Sequence, residues 1–550
     1  MVFAATFAPI PAHAQKSVSS KIPPAIRIAP PAPRISDAAR KAEFAKRRSN
    51  VAAEIGKNGA LILFSAEPKI YTNDVDFQYR QENNLYYLIG LKQQHATLVL
   101  MPGKTPSEIL FVPERDPANE TWNGRMYSRE EAQNLSGVRT IVDAREFPAF
   151  VEALKNKRAF SAKGVSISGT AENLFLLLPG SERDDDGLRE FRREFEFAKD
   201  LAKISVNERT KAFGYEPLFG YKIQDAQPIF AELRLVKSPM EIKMLQHAVD
   251  ITTEGFGRAM GVAPKIKHEY EAQAEIEYTF RRRNADYWGY PSIVGCGPNA
   301  TTLHYVESQG AVRRGDLLLM DVGAEYEHYT ADVTRTFPVS GKFTKAQAEI
   351  YQIVYDAQEA VGKATKPGAN LRNDVYAPGT ETIKKGLAKL GLITAPDATY
   401  KIKLANGQFF DVPQFRLWFM HGVGHWLGMN VHDVGEYNTP LKPGMIFTNE
   451  PGVYIRGDAL DYALKMPENA DVLAKIRPAF EKYKNIGVRI EDDLLVTATG
   501  VTWMTKNLPR KLKDVEAMMA RTKLKMRSVA ANEDLPQENF LLELVEAKTE

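Results

Sequence analysis

LLLMDVGAEYEHYTADVTRTFPV, residues 317–339, decides the reading of this chain. Leu, Val, Met and Thr dominate its two arms, the mark of two buried β-strands, and Gly323 to Tyr329 supplies a polar middle. Each arm carries one aspartate, Asp321 and Asp332. If the chain folds back near Glu325–His328, the two carboxylates come opposite one another on one sheet face. Buried carboxylates so placed repel unless protons or cations neutralise them. Thr334 falls on the face of Asp332, where it would orient that carboxylate. Ordinary strand-end acids give the same pattern, so the pair needs partners elsewhere.

Three stretches supply them. FMHGVGHWLGMNVHDVG, residues 419–435, holds His421, His425 and His432, three of only nine histidines in the chain. Gly422 and Gly424 argue against a helix there, so this is not the i, i+4 pair of a helical zinc site. In TNEPGVY, residues 448–454, Glu450 precedes a Pro-Gly turn. In GVRIEDDLLVT, residues 487–497, Glu491 sits in an apolar strand two residues from Arg489. Taken singly, each acid is an ordinary strand-end residue. Two Asp, two Glu and a His in apolar settings are not explained as solvated surface.

With their surrounding phrases, these residues resemble the dinuclear-metal "pita-bread" peptidases of family M24, and among them aminopeptidase P, the Xaa-Pro aminopeptidase. The phrases are YRQENNLYYLIG (79–90), ERDPANETWNG (114–124), ELRLVKSPMEI (232–242), YPSIVGCGPNATTLHY (290–305), the two-aspartate hairpin, HGVGHWLG, NEPGVYI and GVRIEDD. The likeness runs from about Arg47 to about Met519. Departures are Asn449, where many relatives carry an apolar residue, and an extra tail beyond about 520.

The resemblance implies an α/β chain: an N-terminal aminopeptidase-P-type domain followed by a pita-bread catalytic domain with pseudo-two-fold symmetry. It implies two divalent metal ions, with Asp321 on one, Asp332 and Glu491 bridging, and His425 and Glu450 completing the other. Oxygen-rich ligation with a single His suits Mn²⁺, with Co²⁺ or Zn²⁺ as alternatives. A hydroxide bridging the ions would attack the carbonyl before an Xaa-Pro bond, releasing one N-terminal residue. Glu450 would move the proton to the leaving nitrogen, and His432 and His304 would donate hydrogen bonds to the oxyanion or substrate backbone. His421 and Tyr454 would line the proline pocket, and Arg489 would pair with an acid. Asp74, Arg80 and Trp122 match positions that, in relatives, help close a neighbouring subunit's site in a homodimer or homotetramer. Structural roles stand beside these for His432, His304 and the three N-domain residues. Prolidase, an Xaa-Pro dipeptidase of the same fold, is the alternative; the HWLG wording and N-domain phrases favour aminopeptidase P. A metal-free peptide-binding member would have lost ligands, and all five are present.

Composition agrees with an enzyme and excludes other classes. The chain has 550 residues, 44% hydrophobic and 26% charged, with 72 basic against 69 acidic side chains. That balance does not suggest a nucleic-acid partner, and no stretch is apolar enough to span a membrane. The single Cys296 has no base paired with it by any motif. Residues 1–14 read as a signal peptide with a shortened start, ending in Ala12-His13-Ala14, which implies a periplasmic or secreted protein with a cytoplasmic one as the alternative. A Pro-rich linker (15–35), an N-terminal domain (36–220) with strands at LILFSA, YYLIG and ATLVLMP, a catalytic domain (232–510) and a tail (511–550) follow. The charged run 181–202 reads as a solvated helix. Ser238 with Pro239 and Glu241, and Thr344 with Gln347, each open a helix.

Overall fold

A computed structural model describes residues 26–522, apart from 163, 169–170 and 464. The leader at 1–14, the start of the linker and the acidic end of the tail lie outside the described residues.

The N-terminal domain is a six-stranded sheet packed between helices. Ser36 caps α1 (Asp37–Ile55), and β1 (Gly59–Phe64) follows, buried along its whole length. Then come α2 (Asn83–Ile89), β2 (Thr97–Leu100), β3 (Glu108–Val112), β4 (Ile141–Asp143), β5 (Asn173–Leu176) and β6 (Lys222–Asp225). The spatial order is β6-β5-β1-β2-β3-β4. LILFSA and ATLVLMP form strands as read. YYLIG does not: it is the end of α2, because the Glu82 carboxylate accepts from the Asn84 and Leu85 amides and starts a helix, and left-handed Gly90 stops it. A short, wholly buried apolar run has no periodicity to betray that choice.

The charged run also differs from its reading. It forms two short helices, Asp185–Glu190 and Arg192–Lys199, and the second turns Glu194 and Phe195 inward. The Pro-rich linker is partly docked: Ile26 and Ala29 are buried, and the Ala29 amide donates to Glu254 (2.8 Å).

The catalytic half opens with α3 (Pro239–Val262), which carries the expected Ser238/Glu241 capping box. It continues through α4 (Glu269–Arg282), β7 (Ile293–Cys296), β8 (Leu317–Val322), β9 (Ala324–Tyr326), β10 (Tyr329–Thr330) and β11 (Val333–Pro338). Next are α5 (Lys345–Ala364), which starts at the Thr344/Gln347 box, α6 (Ala377–Leu390), β12 (Ile446–Asn449) and β13 (Gly452–Ile455). The last elements are β14 (Ile486–Arg489), β15 (Asp492–Val496), β16 (Val501–Trp503) and α7 (Leu512–Arg521). Helix α7 belongs to the fold and not to a loose tail, since Val515, Met518 and Met519 are buried in the core shared with α3. That core also takes in Leu85, Leu88 and Ile89 of α2, so the two domains share apolar packing.

The aspartate hairpin folds back where expected. Glu327 and His328 form a two-residue turn with φ of 49° and 69° between paired Tyr326 and Tyr329. Its polar middle is buried all the same, with Glu325 salt-bridged to Arg80 at 2.8 Å. The hairpin is interrupted, however. The β8–β11 ladder ends at Val322↔Val333, so Asp321 pairs in register with Thr334, and Asp332 lies just past the ladder. Gly323 makes the break: a Cβ there would stand 1.8 Å from the Ala331 carbonyl oxygen.

Burial pushes the Glu194 carboxyl up to about 8, helped by the charge of Glu82, itself pushed up to about 7. A carboxyl raised on folding stabilises while protonated: the contribution is full below the unfolded value of 4.5 and lost as pH climbs through 8. Glu194→Gln should therefore match the parent in urea unfolding at pH 4. It should gain over the parent between pH 5 and 8, by up to about 1.4 kcal/mol per pH unit. A gap that is constant with pH would contradict the burial of this carboxyl.

Candidate metal centre

Backbone pairing assembles the acids from distant segments. The Thr334↔Glu491 bridge joins the hairpin to the β14–β15 segment, which breaks at Ile490–Glu491. The 423–425 loop runs beside residues 448–450: Thr448 N donates to His425 O (2.8 Å) and Glu450 N to Val423 O (2.8 Å). Gly424 permits that approach, since a Cβ on it would meet the Thr448 carbonyl oxygen at 2.0 Å. The segment is irregular and not helical, as its glycines suggest.

Ligand atoms of Asp332, His425 and Glu491, all buried, lie within 4.8 Å of one another. His425 Nε2 is 3.3 Å from Asp332 Oδ2 and 3.4 Å from Glu450 Oε1. Asp321 joins through Arg489, whose Nη2 sits 2.6 Å from Asp321 Oδ2. All five expected ligands line one cleft of about 560 Å³, together with His304, His421, His432 and Arg489. Tyr454 lies beneath, fully buried.

The charges are out of balance. Burial and then Asp332, Asp321 and Glu450 raise Glu491 well above the carboxylate range. Burial and Asp321 raise Asp332 in spite of the His425 contact. Burial pushes Glu450 up to about 7, with Asp332 adding to it and His425 opposing. Burial works against charge on His425, yet Asp332 and Glu450 prevail and lift it to about 9. Its Nδ1 faces the Trp426 carbonyl oxygen at 2.9 Å, so Nε2 is the nitrogen presented to the acids. The cluster thus recruits positive charge where Nε2 and the carboxylates converge. Divalent cations supply that charge, and the donor set fits them.

The surrounding side chains act as fixed struts. Arg489 Nη1 donates to Tyr454 Oη (2.8 Å), which donates to His421 Nε2 (2.8 Å), while His421 Nδ1 donates to Gly422 O (2.7 Å). Burial and Arg489 push His421 down to about 3, and burial and His425 push His432 down to about 4. Both rings are neutral near pH 7. The His432 ring packs on His425 with 3.9 Å between centroids. Thr334 Oγ1 donates to Glu491 Oε2 (2.7 Å), so its support goes to the glutamate and not to Asp332. Strand alternation does not carry over to a residue beyond the ladder.

Tyr290 was not singled out from the sequence. Its hydroxyl lies 2.6 Å from Asp321 Oδ1 and 2.5 Å from Asp332 Oδ1. Burial and the two aspartates hold it well above the phenol range, so it remains a donor. Its position at the head of YPSIVGCGPNATTLHY was the only signal. Cys296 is buried and pushed by burial up to about 12, so it is inert. Of the three N-domain residues, Asp74 is exposed, Trp122 is 87% exposed, and Arg80 reaches into its own chain's catalytic half.

The Aminopeptidase P N-terminal domain model matches residues 44–161, and the Metallopeptidase family M24 model matches residues 243–498. The Xaa-Pro aminopeptidase of Haemophilus influenzae is 34% identical over 488 residues, 87% of this chain and 97% of that protein. This chain belongs to the aminopeptidase P family. The Escherichia coli Xaa-Pro aminopeptidase is 32% identical over 87% of this chain and 98% of its own length. Two solved structures agree: the Pseudomonas aeruginosa aminopeptidase PepP (TM-score 0.69, 30% identity, 89% of this chain and 99% of that one) and E. coli aminopeptidase P in its low-pH form (TM-score 0.69, 31% identity, 89% and 100%).

Tyr290→Phe keeps the ring and removes the strut. Metal affinity of this aminopeptidase P family member, measured by chelator competition, should fall about 10-fold or more. Unchanged affinity would remove Tyr290 from the metal scaffold.

Proposed function

We propose that this protein is a dimetal Xaa-Pro aminopeptidase that releases the N-terminal residue from peptides with proline in second position. The observation that carries the reading is a cluster of four acids and a histidine in a cleft that otherwise offers no free charge. Among the described residues lining that cleft, Arg489 is the only arginine or lysine, and Asp321 and Tyr454 occupy it. A dipeptidase needs a group for the substrate's C-terminal carboxylate; this cleft favours longer peptides over the prolidase reading.

Asp321, Asp332, His425, Glu450 and Glu491 would hold two divalent ions, Mn²⁺ by the chemistry of the donors, with Co²⁺ or Zn²⁺ as alternatives. Bound there, the ions supply Lewis-acid activation of water and of the scissile carbonyl. Glu450, whose Oε1 lies 3.4 Å from His425 Nε2 on the cleft wall, would deliver a proton to the departing proline nitrogen. Neutral His432 has one ring N–H to donate to the developing oxyanion. His304, which lines the same cleft, serves the substrate backbone. His421, held from behind by buried Tyr454, walls the proline site. A proline nitrogen carries no hydrogen and its ring fixes φ, so a rigid wall replaces the missing backbone hydrogen bond. We place the enzyme outside the cytoplasm on the leader reading of residues 1–14. We infer a homodimer or homotetramer in which exposed Asp74 and Trp122 approach a neighbour's cleft, whereas Arg80 is engaged by Glu325 of its own chain.

Chelation should abolish cleavage of an Xaa-Pro-Pro tripeptide, and readdition of Mn²⁺ should restore it best. Strict preference for the Xaa-Pro dipeptide would convert the assignment to prolidase. Turnover without bound Mn, Co, Zn or Fe would overturn the dimetal reading. Asp332→Asn should fold normally and lose activity by about 10³ or more.

A further inference from the structure

The loop that carries His432 is held from outside its own domain. Residues 428–433 curl around the Asp433 carboxylate: Asn430 N lies 3.4 Å from Asp433 Oδ1, and a Cβ on Gly428 would stand 2.1 Å from Oδ2. That carboxylate is buried between two cations, Arg234 Nη2 at 2.6 Å and Lys237 Nζ at 3.0 Å. Arg234 then spans the domains. Its Nη1 donates to Asn84 Oδ1 (2.8 Å), and its Nη2 also donates to Asn430 Oδ1 (2.7 Å). Asn83 donates to the same Asn430 oxygen at 2.9 Å, and Arg80 Nη2 to the Met429 carbonyl at 2.8 Å. Thus the phrase YRQENN of the N-terminal domain and the arginine of ELRLVKSPMEI converge on six residues that include His432.

We propose that Arg234 is a positioning residue for His432, clamping the 428–433 loop to Asn84 of the N-terminal domain, with Asn83 and Arg80 completing the clamp in cis. The proposal rests on the reading that His432 takes part in the reaction. The planar fork is what the site requires: one guanidinium reaches Asn84, Asn430 and Asp433 together, whereas an ammonium at that position retains the charge but not the span. Lys237 leaves Asp433 paired in either case, so loss of the fork loosens the loop without stranding a buried charge. A displacement of His432 by an ångström is enough to slow the reaction many-fold.

Arg234→Lys, His432→Ala and the double variant test this in the full-length, metal-loaded protein, with hydrogen exchange of the 428–433 amides followed in both loaded and chelated forms. Arg234→Lys should bind metal as the parent does, lose about 10-fold in kcat with KM nearly unchanged, and exchange those amides faster. The double variant should be no slower than His432→Ala alone. Losses that multiply, or an exchange rate equal to the parent's, would overturn the clamp. Should Arg234→Lys not accumulate as folded protein, Asn430→Ala, which removes the loop's acceptor and no charge, enters the same cycle with the same expectation. Full turnover by His432→Ala would instead overturn the role of His432. That result is separable, because hydrogen exchange reads the clamp without turnover.

Discussion

Mutual repulsion among buried carboxylates is the constraint on which the rest of this molecule depends. Asp321, Asp332 and Glu491 are buried with half-buried Glu450 beside them, and like charges about 4 Å apart repel by about 4 kcal/mol at the effective dielectric of a protein site. Every neighbour is arranged in answer. Arg489 spends its fork on Asp321 and Tyr454, Tyr290 brings one hydroxyl to both aspartates, and Thr334 donates to Glu491. His425 turns Nε2 inward because the Trp426 carbonyl faces Nδ1. What these struts leave uncancelled is negative charge, which divalent cations would neutralise.

Holding repelling groups together requires a scaffold that does not yield. The acids sit where strand ladders end or break: Asp332 past the β8–β11 ladder, Glu491 between β14 and β15, Glu450 after β12. At such points the backbone departs from strict alternation, and side chains from separate sheets converge on one volume. Arg335 braces the crossing. Fully buried, it donates to the Thr334 and Glu491 carbonyls at 2.8 and 2.7 Å and pairs with Asp492 at 2.6 Å. Removing one partner of such a pair strands the other, at a cost of about 3–5 kcal/mol.

The N-terminal domain is part of this scaffold. Buried Glu325, in the middle of the aspartate hairpin, takes its cation from Arg80, and the His328 ring stacks on Tyr86 at 3.8 Å. The same segment reaches the loop beneath His432. Hairpin and histidine loop therefore owe their placement to contacts some 250 and 350 residues away in sequence.

Local chemistry was legible in the sequence wherever the cause was local. The capping boxes at Ser238 and Thr344, the turn at Glu327–His328 and the non-helical glycine loop before His425 depend on neighbours within a few residues. The four acids and His425 stood out together because ionisable groups in apolar settings are costly wherever they occur; their roles as ligands came from the family resemblance. Legibility ended where burial on both faces erased periodicity, as in YYLIG, and where long-range contacts redirected a side chain. Thr334 serves Glu491, Arg80 serves its own chain's hairpin, and Tyr290 joins both aspartates; each follows from segments meeting across more than 30 residues. Which groups carry charge into the core is written in residue types and their apolar settings. Which of them face one another is set by packing, because a side chain's partner comes with the strand, turn or domain against it and not with its neighbours along the chain.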